Sequence, residues 1–199
     1  QELEKYPVKL VKIPEIGQLT QGNLKLDDLK KINIEDLLGR DTVEPDAYLL
    51  NSCIENKVIL ITGCGGSIGS EICRQIIKLN PKKLVLVEQS EFFLYDIDQN
   101  LADYKLKNKC IVPISSYLGS VSDSDFINNI FKKENIDTVY HAAAHKHVPL
   151  VEHNPLAAIR TNIFGTYTVA DAAYKNNVSN FVLISSDKAV RPTNVMGAT

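Results

Sequence analysis

Three neighbouring side chains near the end of the sequence combine a hydroxyl, a carboxylate and an amine: Ser186, Asp187 and Lys188. They follow an apolar run, residues 180–185, that has the composition of a strand. An acid and a base held side by side can eliminate water next to an oxidised carbon. Asp187 would protonate the leaving hydroxyl and Lys188 would take the carbon-bound proton. The alternative is a surface ion pair, which contributes little to stability.

A glycine-rich loop, residues 61–69, lies between an apolar strand pattern and a helix pattern. Gly63 permits a tight turn, Gly66 lets the backbone approach a pyrophosphate, and Gly69 allows the helix to pack closely on the strand. The helix N-terminus then faces the anion. The loop therefore predicts a dinucleotide site, although a glycine triplet alone can be an ordinary turn. The predicted cofactor contacts are Thr62, Gly63, Gly65, Gly66, Ser67, Ile68 and Gly69.

A carboxylate, Glu88, ends the second strand pattern about twenty residues beyond this loop. At that place a carboxylate hydrogen-bonds the hydroxyls of the adenosine ribose and repels a 2′-phosphate. Glu88 therefore favours NAD over NADP as the cofactor. The alternative is a solvated glutamate at a strand end.

Four histidines, His141, His145, His147 and His153, crowd around the end of the fourth strand pattern. They invite a zinc interpretation, but no cysteine or spaced carboxylate completes a ligand set, and Lys146 would repel a cation. We therefore predict no metal. The small side chains that follow His141 leave room for the cofactor, and His145, Lys146 and His147 are predicted to face the substrate. The predicted cofactor contacts in this run are Ala142, Ala143 and Ala144.

Short β-branched runs alternate with amphipathic stretches from residue 57 onward, which is typical of repeated βαβ units. We predict a doubly wound parallel α/β sheet of the Rossmann type with strand order 3-2-1-4-5. Its strands are predicted at residues 58–62, 83–88, 110–114, 137–142 and 180–185. Its helices are predicted at residues 67–79, 90–105, 123–133 and 155–176. Residues 52–199 would form this domain, incomplete and without the domain that binds the rest of a substrate.

The first 51 residues have an irregular pattern, which predicts the tail of an upstream domain and a connecting arm. We predict extended stretches at residues 8–13 and 30–34 and a short helix at residues 45–54 that leads into the main domain.

The chain has 199 residues and a net charge of -2, which argues against a broad electrostatic footprint for nucleic acid or anionic lipid. The sequence contains no signal peptide and no apolar run long enough to span a bilayer, so we expect a soluble, cytoplasmic piece.

Four segments together resemble the UDP-N-acetylglucosamine 4,6-dehydratase family of extended short-chain dehydrogenases/reductases. They are residues 62–69, 141–149, 161–166 and 186–194, and the resemblance extends over residues 34–199. It is greatest to long, membrane-anchored members that begin bacillosamine-type and capsular sugar synthesis. It implies UDP-N-acetylglucosamine as substrate and a tightly held NAD(P) that takes hydride from sugar C4 and returns it to C6 after water is lost across C5 and C6.

The resemblance also implies residue roles. Asp187 becomes the general acid at the C6 hydroxyl, Lys188 the base at C5, and Ser186 a hydroxyl that binds the C4 oxygen. Asn162 is expected to bind the cofactor and Asn194 the substrate. A homo-oligomer is left open, and these 199 residues alone are expected to show little or no turnover.

Two positions depart from the family pattern. Met196 stands where the catalytic tyrosine usually stands, and a thioether cannot donate a proton; some long dehydratases share this methionine. Ser120 and Val121 occupy the end of the third strand, where relatives usually have Gly-Asp-Val, so an adenine contact there would come from Ser120 or the backbone. Two rivals stay open: an epimerase or dehydrogenase on the same scaffold, and a non-catalytic NAD-binding module.

Overall fold

The computed structural model describes residues 11–12, 30–31 and 46–199, and the chain divides into two compact units, residues 1–45 and 46–199. In the first unit, β1 (Val11–Lys12) pairs antiparallel with β2 (Lys30–Lys31). These two strands lie within the extended stretches predicted at residues 8–13 and 30–34. The other residues of those stretches, like Pro45 of the predicted helix, lie outside the described residues.

The second unit is built on a five-stranded parallel sheet, and its helix α1 (Ala47–Ile54) precedes the first strand of that sheet. Asp46 begins this helix, because its carboxylate accepts the N–H groups of Tyr48 and Leu49. The sheet has the order β5-β4-β3-β6-β7. This is the predicted order 3-2-1-4-5, so the Rossmann-type topology is confirmed. The strands are β3 (Val58–Thr62), β4 (Lys83–Glu88), β5 (Ile114–Leu118), β6 (Thr138–His141) and β7 (Asn180–Leu183).

Helices connect the strands and bury both faces of the sheet. Along β3 the side chains alternate: Ile59 and Ile61 pack into one hydrophobic core, and Val58 and Leu60 into the other. This alternation follows from the two-residue period of a strand, and it explains why the strand reads as a continuous apolar run. The connecting helices are α2 (Ser67–Ile76), extended by a 3₁₀ turn (Ile77–Leu79), α3 (Glu91–Asn108) and α4 (Ser124–Glu134).

The third strand begins later than predicted. Residues 110–114 were expected to form it, but β5 pairs with β4 from Ile114 onward. Cys110 instead donates its N–H to the carbonyl of Lys105 at the end of α3, and Pro113 has no N–H to offer a ladder. The apolar residues before Pro113 resemble a strand only in composition, since Val112 is buried while Ile111 is 92% exposed.

The helix predicted at residues 155–176 is not a single α-helix. It consists of α6 (Pro155–Ala158), a π-helical segment (Ile159–Gly165) and α7 (Thr166–Lys175). An unpredicted helix, α5 (Val148–His153), comes before it, with a proline in its first turn. The chain then continues through β7, a 3₁₀ turn (Asp187–Ala189) and α8 (Val195–Ala198).

Candidate functional site

A cleft of about 570 Å³ opens at the carboxyl ends of the parallel strands. Open α/β sheets bind ligands at this edge, beside the point where the strand order reverses. Here that point lies between β3 and β6, the two strands paired at the centre of the sheet. Of the predicted residues, those that line the cleft are Gly63, Gly65, Gly66, Ser67, Glu88, Val121, Ala142, Ala143, Ala144, His145, Lys146 and His147.

Gly63 forms the floor of the cleft, where β3 gives way to the loop. Its φ of +64° is in the left-handed region, and a Cβ at this position would lie 2.7 Å from both the N and the Cα of Ala143. Its N–H donates to the carbonyl of Val87 at 2.8 Å, which joins the loop to β4. Backbone conformation and space therefore both require glycine here.

The other loop glycines allow close packing around Gly63. A Cβ on Gly69 would lie 2.1 Å from the Gly63 carbonyl oxygen, and one on Gly65 would lie 2.5 Å from Cβ of Phe93. Gly66 begins α2 without a side-chain cap, so the first backbone N–H groups of the helix face the cleft. This cradle of glycine backbone at a helix N-terminus fits the pyrophosphate of a dinucleotide.

The Glu88 carboxylate is buried at the rim of the cleft and accepts three backbone N–H groups. One oxygen accepts from Gly65 at 3.2 Å, and the other accepts from Gln89 at 2.9 Å and Ser90 at 3.1 Å. A carboxylate has about four lone-pair positions, so Glu88 retains capacity for about one more hydrogen bond, from a hydroxyl of a ribose. The hydrogen bond from Gly65 joins the Glu88 carboxylate to the glycine-rich loop.

His141 lies beneath the cleft rather than in it. Its Nδ1 lies 2.7 Å from the Thr62 hydroxyl and its Nε2 lies 3.0 Å from the Thr166 hydroxyl. Burial lowers the pKa of His141 to about 4, so the ring is neutral near pH 7. His141 therefore links β3, β6 and α7. No group of three or more His, Cys, Asp or Glu side chains suited to a metal ion occurs in the part of the chain that the structure describes.

Asn162 holds the loop that forms one wall of the cleft. Its Oδ1 accepts the N–H of His145 at 2.8 Å, and its Nδ2 donates to the His145 carbonyl at 3.0 Å and to the Thr199 hydroxyl at 3.0 Å. The side chain projects from the middle of the π-helical segment, a type of irregularity that is frequent at functional sites. Asn162 was predicted to contact the cofactor. In the structure its side chain contacts His145 in the wall of the cleft, and Thr199.

We expect Asn162→Asp to loosen this wall. The substitution keeps the acceptor for the His145 N–H but removes both donors and puts a carboxylate oxygen against a carbonyl oxygen. The exchange of the His145 amide, measured by hydrogen–deuterium exchange, should become roughly tenfold faster. Asn176→Asp is the matched control, because Asn176 also donates to a backbone carbonyl, that of Ala172, but outside the cleft lining. Equal exchange of His145 in all three proteins would contradict the prediction.

Four predicted cofactor residues besides Asn162 do not line the cleft directly. Thr62 is fully buried against His141, and Gly69 packs on the Gly63 carbonyl. Ile68 is exposed on α2, and the Ser120 hydroxyl accepts the N–H of Ser122.

Ser186, Asp187 and Lys188 lie in the exposed turn after β7 and are not part of the cleft lining. The Ser186 hydroxyl accepts the N–H of Lys188 at 3.2 Å, which fixes the turn. Lys188 Nζ lies 3.7 Å from an Asp187 carboxylate oxygen, and the Asp187 side chain is 91% exposed. Asp187 and Lys188 are therefore adjacent at the carboxyl end of β7 and paired with each other.

Met196 packs in a small hydrophobic cluster with Val151 and Ala158 and is 8% exposed. Asn194 caps α8, since its side chain accepts the Gly197 N–H at 2.8 Å. A Cβ on Gly197 would lie 2.2 Å from the Lys188 carbonyl oxygen, so α8 packs tightly on the turn that contains Asp187 and Lys188.

Cys64, inside the phosphate loop, is completely buried in the core. Burial raises the pKa of its thiol far above the ordinary value. The thiolate is the reactive form of cysteine, so Cys64 is not placed to react and acts as a small apolar filler.

Sequence reasoning missed several residues of the cleft. Phe93, on α3, lies at its mouth against Gly65, and Leu150, Val151 and Asn154 reach it from α5 and the turn that follows. The proline at position 149 was the available signal, because proline is frequent in the first turn of a helix. The other missed lining residues are Val87, Gln89, Ser90, Gly119, Ala157, Ala158 and Thr161.

The model of the polysaccharide biosynthesis protein family matches residues 59–199, which include the five-stranded sheet except for Val58 and every residue of the cleft. The chain belongs to this family. The resemblance expected from the sequence is thereby confirmed, since relatives named as UDP-N-acetylglucosamine 4,6-dehydratases also match.

Three curated relatives of this chain illustrate the range of names in the family. Capsular polysaccharide biosynthesis protein CapD of Staphylococcus aureus is 48% identical over 96% of the chain. A UDP-N-acetylglucosamine 4,6-dehydratase (inverting) of Campylobacter jejuni is 34% identical over 72% of it, and a UDP-glucose 4-epimerase of Rickettsia canadensis is 36% identical over 71%. The chain spans 32%, 40% and 40% of the length of these relatives, respectively.

Solved structures with the same fold include Pen from Bacillus thuringiensis, with a TM-score of 0.65 and 36% identity. The match covers 73% of this chain and 44% of that one. The Bordetella bronchiseptica enzyme WbmH, solved in complex with NAD⁺, matches with a TM-score of 0.52 and 25% identity over 67% of this chain and 40% of its own. No helix among the described residues of this chain has both the length and the apolarity of a membrane span.

Proposed function

We propose that this chain is the cofactor-binding part of a longer nucleotide-sugar 4,6-dehydratase that acts on UDP-N-acetylglucosamine in bacterial polysaccharide or glycan synthesis. The observation that carries the proposal is the glycine cradle at Gly63 beside the Glu88 carboxylate, together with an acid–base pair at the end of β7. The names of CapD and of the Campylobacter jejuni dehydratase support the reaction class.

The proposed cofactor is NAD. The glycine backbone at the start of α2 would hold its pyrophosphate, and Glu88 would accept a hydroxyl of its ribose while repelling a 2′-phosphate. The NAD⁺ bound to WbmH supports the choice of a nicotinamide cofactor. When bound, this cofactor supplies a hydride acceptor for sugar C4 and a hydride donor for C6.

The residues after β7 would move the protons of the elimination. Lys188 would remove the proton from C5, and Asp187 would protonate the C6 hydroxyl so that it leaves as water. When hydride returns to C6, Lys188 would give a proton back to C5. The Ser186 hydroxyl would bind the C4 oxygen, while His145, Lys146, His147 and Asn194 would face the sugar nucleotide. Met196 would donate no proton, so a water or Asp187 would accept the proton from the C4 hydroxyl.

The test is the fate of a labelled substrate with the full-length protein. UDP-N-acetylglucosamine carrying deuterium at C4 should give a 4-keto-6-deoxy product that carries the deuterium at C6, visible by NMR. A product that is only the C4 epimer would instead support the second candidate, an epimerase, which the name of the Rickettsia canadensis relative favours. Release of an uncoupled ketone, without loss of the C6 hydroxyl, would also contradict the dehydratase proposal.

A further inference from the structure

The edge of the sheet opposite the cleft carries a set of exposed lysines. Helices in βαβ units run antiparallel to their strands, so the helices end where the strands begin. At this edge, one lysine follows α2 and one precedes β4, one lies in the last turn of α3 and one directly follows it, and two lie in the last turn of α4. We call this set the basic edge: Lys78, Lys82, Lys107, Lys109, Lys132 and Lys133, all of them exposed.

Of the carboxylates near the basic edge, Glu55 is exposed just before β3, while Glu134 and Asp137 are held by other contacts. Glu134 is buried and accepts hydrogen bonds from Lys83 and from Tyr117. Although burial opposes its charged form, these bonds prevail and lower the pKa of Glu134, so it is ionised and paired. Asp137 accepts the Val58 N–H at 2.8 Å. In residues 46–199 no acidic partner lies within ion-pair distance of the six lysines.

Several other carboxylates of this unit lie at the cleft edge. Glu88 ends β4, and acidic side chains occupy or cap the first turns of the helices that begin there. These helix residues are Glu91, Asp123 and Asp125. The net charge of the whole chain does not describe how charge is distributed over this unit, so the sequence-based argument against binding to an anionic surface does not apply to the basic edge.

Two large aliphatic side chains stand exposed among these lysines. Leu106 is 79% exposed in the last turn of α3, between Lys105 and Lys107, and Ile111 is 92% exposed just after Lys109. Lysines surrounding exposed aliphatic side chains are typical of surfaces that lie in the interface of a membrane. Recognition of nucleic acid relies more on arginine and stacked aromatic rings. Arg74, in the last turn of α2, is paired with Glu71, so the cations left without an ion pair at this edge are lysines.

We propose that the basic edge docks on an anionic lipid bilayer, with Leu106 and Ile111 entering the headgroup region. The lysines supply attraction to the negative surface, and the two aliphatic side chains supply short-range burial. Because the cleft lies at the opposite edge of the sheet, docking in this way leaves the cleft open to solvent. The inference rests on the charge distribution and does not depend on the proposed reaction.

Flotation of the chain with vesicles tests the proposal. The protein should float with vesicles of phosphatidylcholine and phosphatidylglycerol in equal amounts, stay behind with phosphatidylcholine alone, and be released by added salt. Lys107→Gln with Lys132→Gln should weaken binding about thirtyfold. The matched control, Lys146→Gln with Lys188→Gln, removes the same charge from the cleft edge and should leave binding unchanged. Leu106→Ser with Ile111→Ser should weaken it roughly tenfold.

Several outcomes would overturn the proposal. One is the absence of vesicle binding, and another is binding that does not depend on phosphatidylglycerol. Equal weakening by the two double lysine substitutions would mean that net charge, rather than this edge, is responsible. Binding of a duplex oligonucleotide more tightly than the anionic vesicles would assign the edge to nucleic acid instead. Circular dichroism checks that each variant remains folded.

Discussion

Gly63→Ala should destabilise the domain and abolish the proposed dinucleotide binding. Alanine at a φ of +64° costs about 1–3 kcal/mol. Its Cβ would also meet the N and Cα of Ala143 at 2.7 Å, and backbone atoms cannot rotate away as a side chain can. Overpacking of this kind adds about 1–3 kcal/mol. The midpoint temperature of thermal unfolding should therefore fall by roughly 10 °C.

Gly66→Ala is the matched control, because it adds the same methyl group three residues along the loop. Gly66 is exposed, and its Cβ would find only the Gly63 carbonyl oxygen, at 3.3 Å. Its φ of -69° suits any residue. We expect the unfolding temperature to change by only a degree or two, while titration with NAD shows weaker binding, because the methyl group stands where the backbone should approach the pyrophosphate.

The two alanine variants distinguish a glycine needed for the fold, Gly63, from a glycine proposed to contact the cofactor, Gly66. If Gly63→Ala unfolds at the wild-type temperature, the left-handed conformation at Gly63 is wrong. If Gly66→Ala binds NAD as the wild type does, the pyrophosphate does not lie against the start of α2. Failure of the wild-type chain to bind NAD would count against the proposed cofactor but would leave the stability difference between the two variants as a test of the fold.

The central sheet was predictable because its signals are local. Apolar runs such as residues 58–62 are bounded by lysine and glycine, and the spacing of Gly63, Gly66 and Gly69 constrains the turn that follows. The third strand was misplaced because Cys110, Ile111 and Val112 have strand composition. The Cys110 N–H instead donates to the Lys105 carbonyl at the end of α3, where Lys109 adopts the left-handed conformation. Composition does not reveal that contact.

The cleft was predicted in part for the same reason. Residues fixed by the loop and the strand ends were identified, whereas Phe93 and Leu150 reach the cleft through tertiary packing of α3 and α5. The role of Asn162 depends on a contact with His145, seventeen residues away, made from a π-helical segment that has no sequence signal. The grouping of lysines at the basic edge likewise appears only when the helix ends are brought together.

Asp187→Asn should lower the turnover of the full-length protein with UDP-N-acetylglucosamine by at least a hundredfold. An amide of the same size cannot protonate a leaving hydroxyl, and general acid catalysis contributes about 10²–10⁴. NAD should bind as in the wild type, because Asp187 lies outside the cleft lining. If water rather than Asp187 accepts the C4 hydroxyl proton, the variant should still exchange the C5 proton in deuterated water, because Lys188 removes it, whereas Lys188→Gln should not.

The competing interpretation is the surface ion pair between Asp187 and Lys188, which is what their exposure alone would indicate. The chain offers a control in Asp171, whose carboxylate pairs with Lys175 one turn along α7 at 2.6 Å. Asp171→Asn removes an ion pair that lies away from the cleft and should leave turnover unchanged. If Asp187→Asn behaves like Asp171→Asn, the pair after β7 is structural and the dehydratase proposal loses its acid. A hundredfold difference between the two variants would require that Asp187 reaches the substrate, and therefore that the exposed turn after β7 forms a wall of the complete active site.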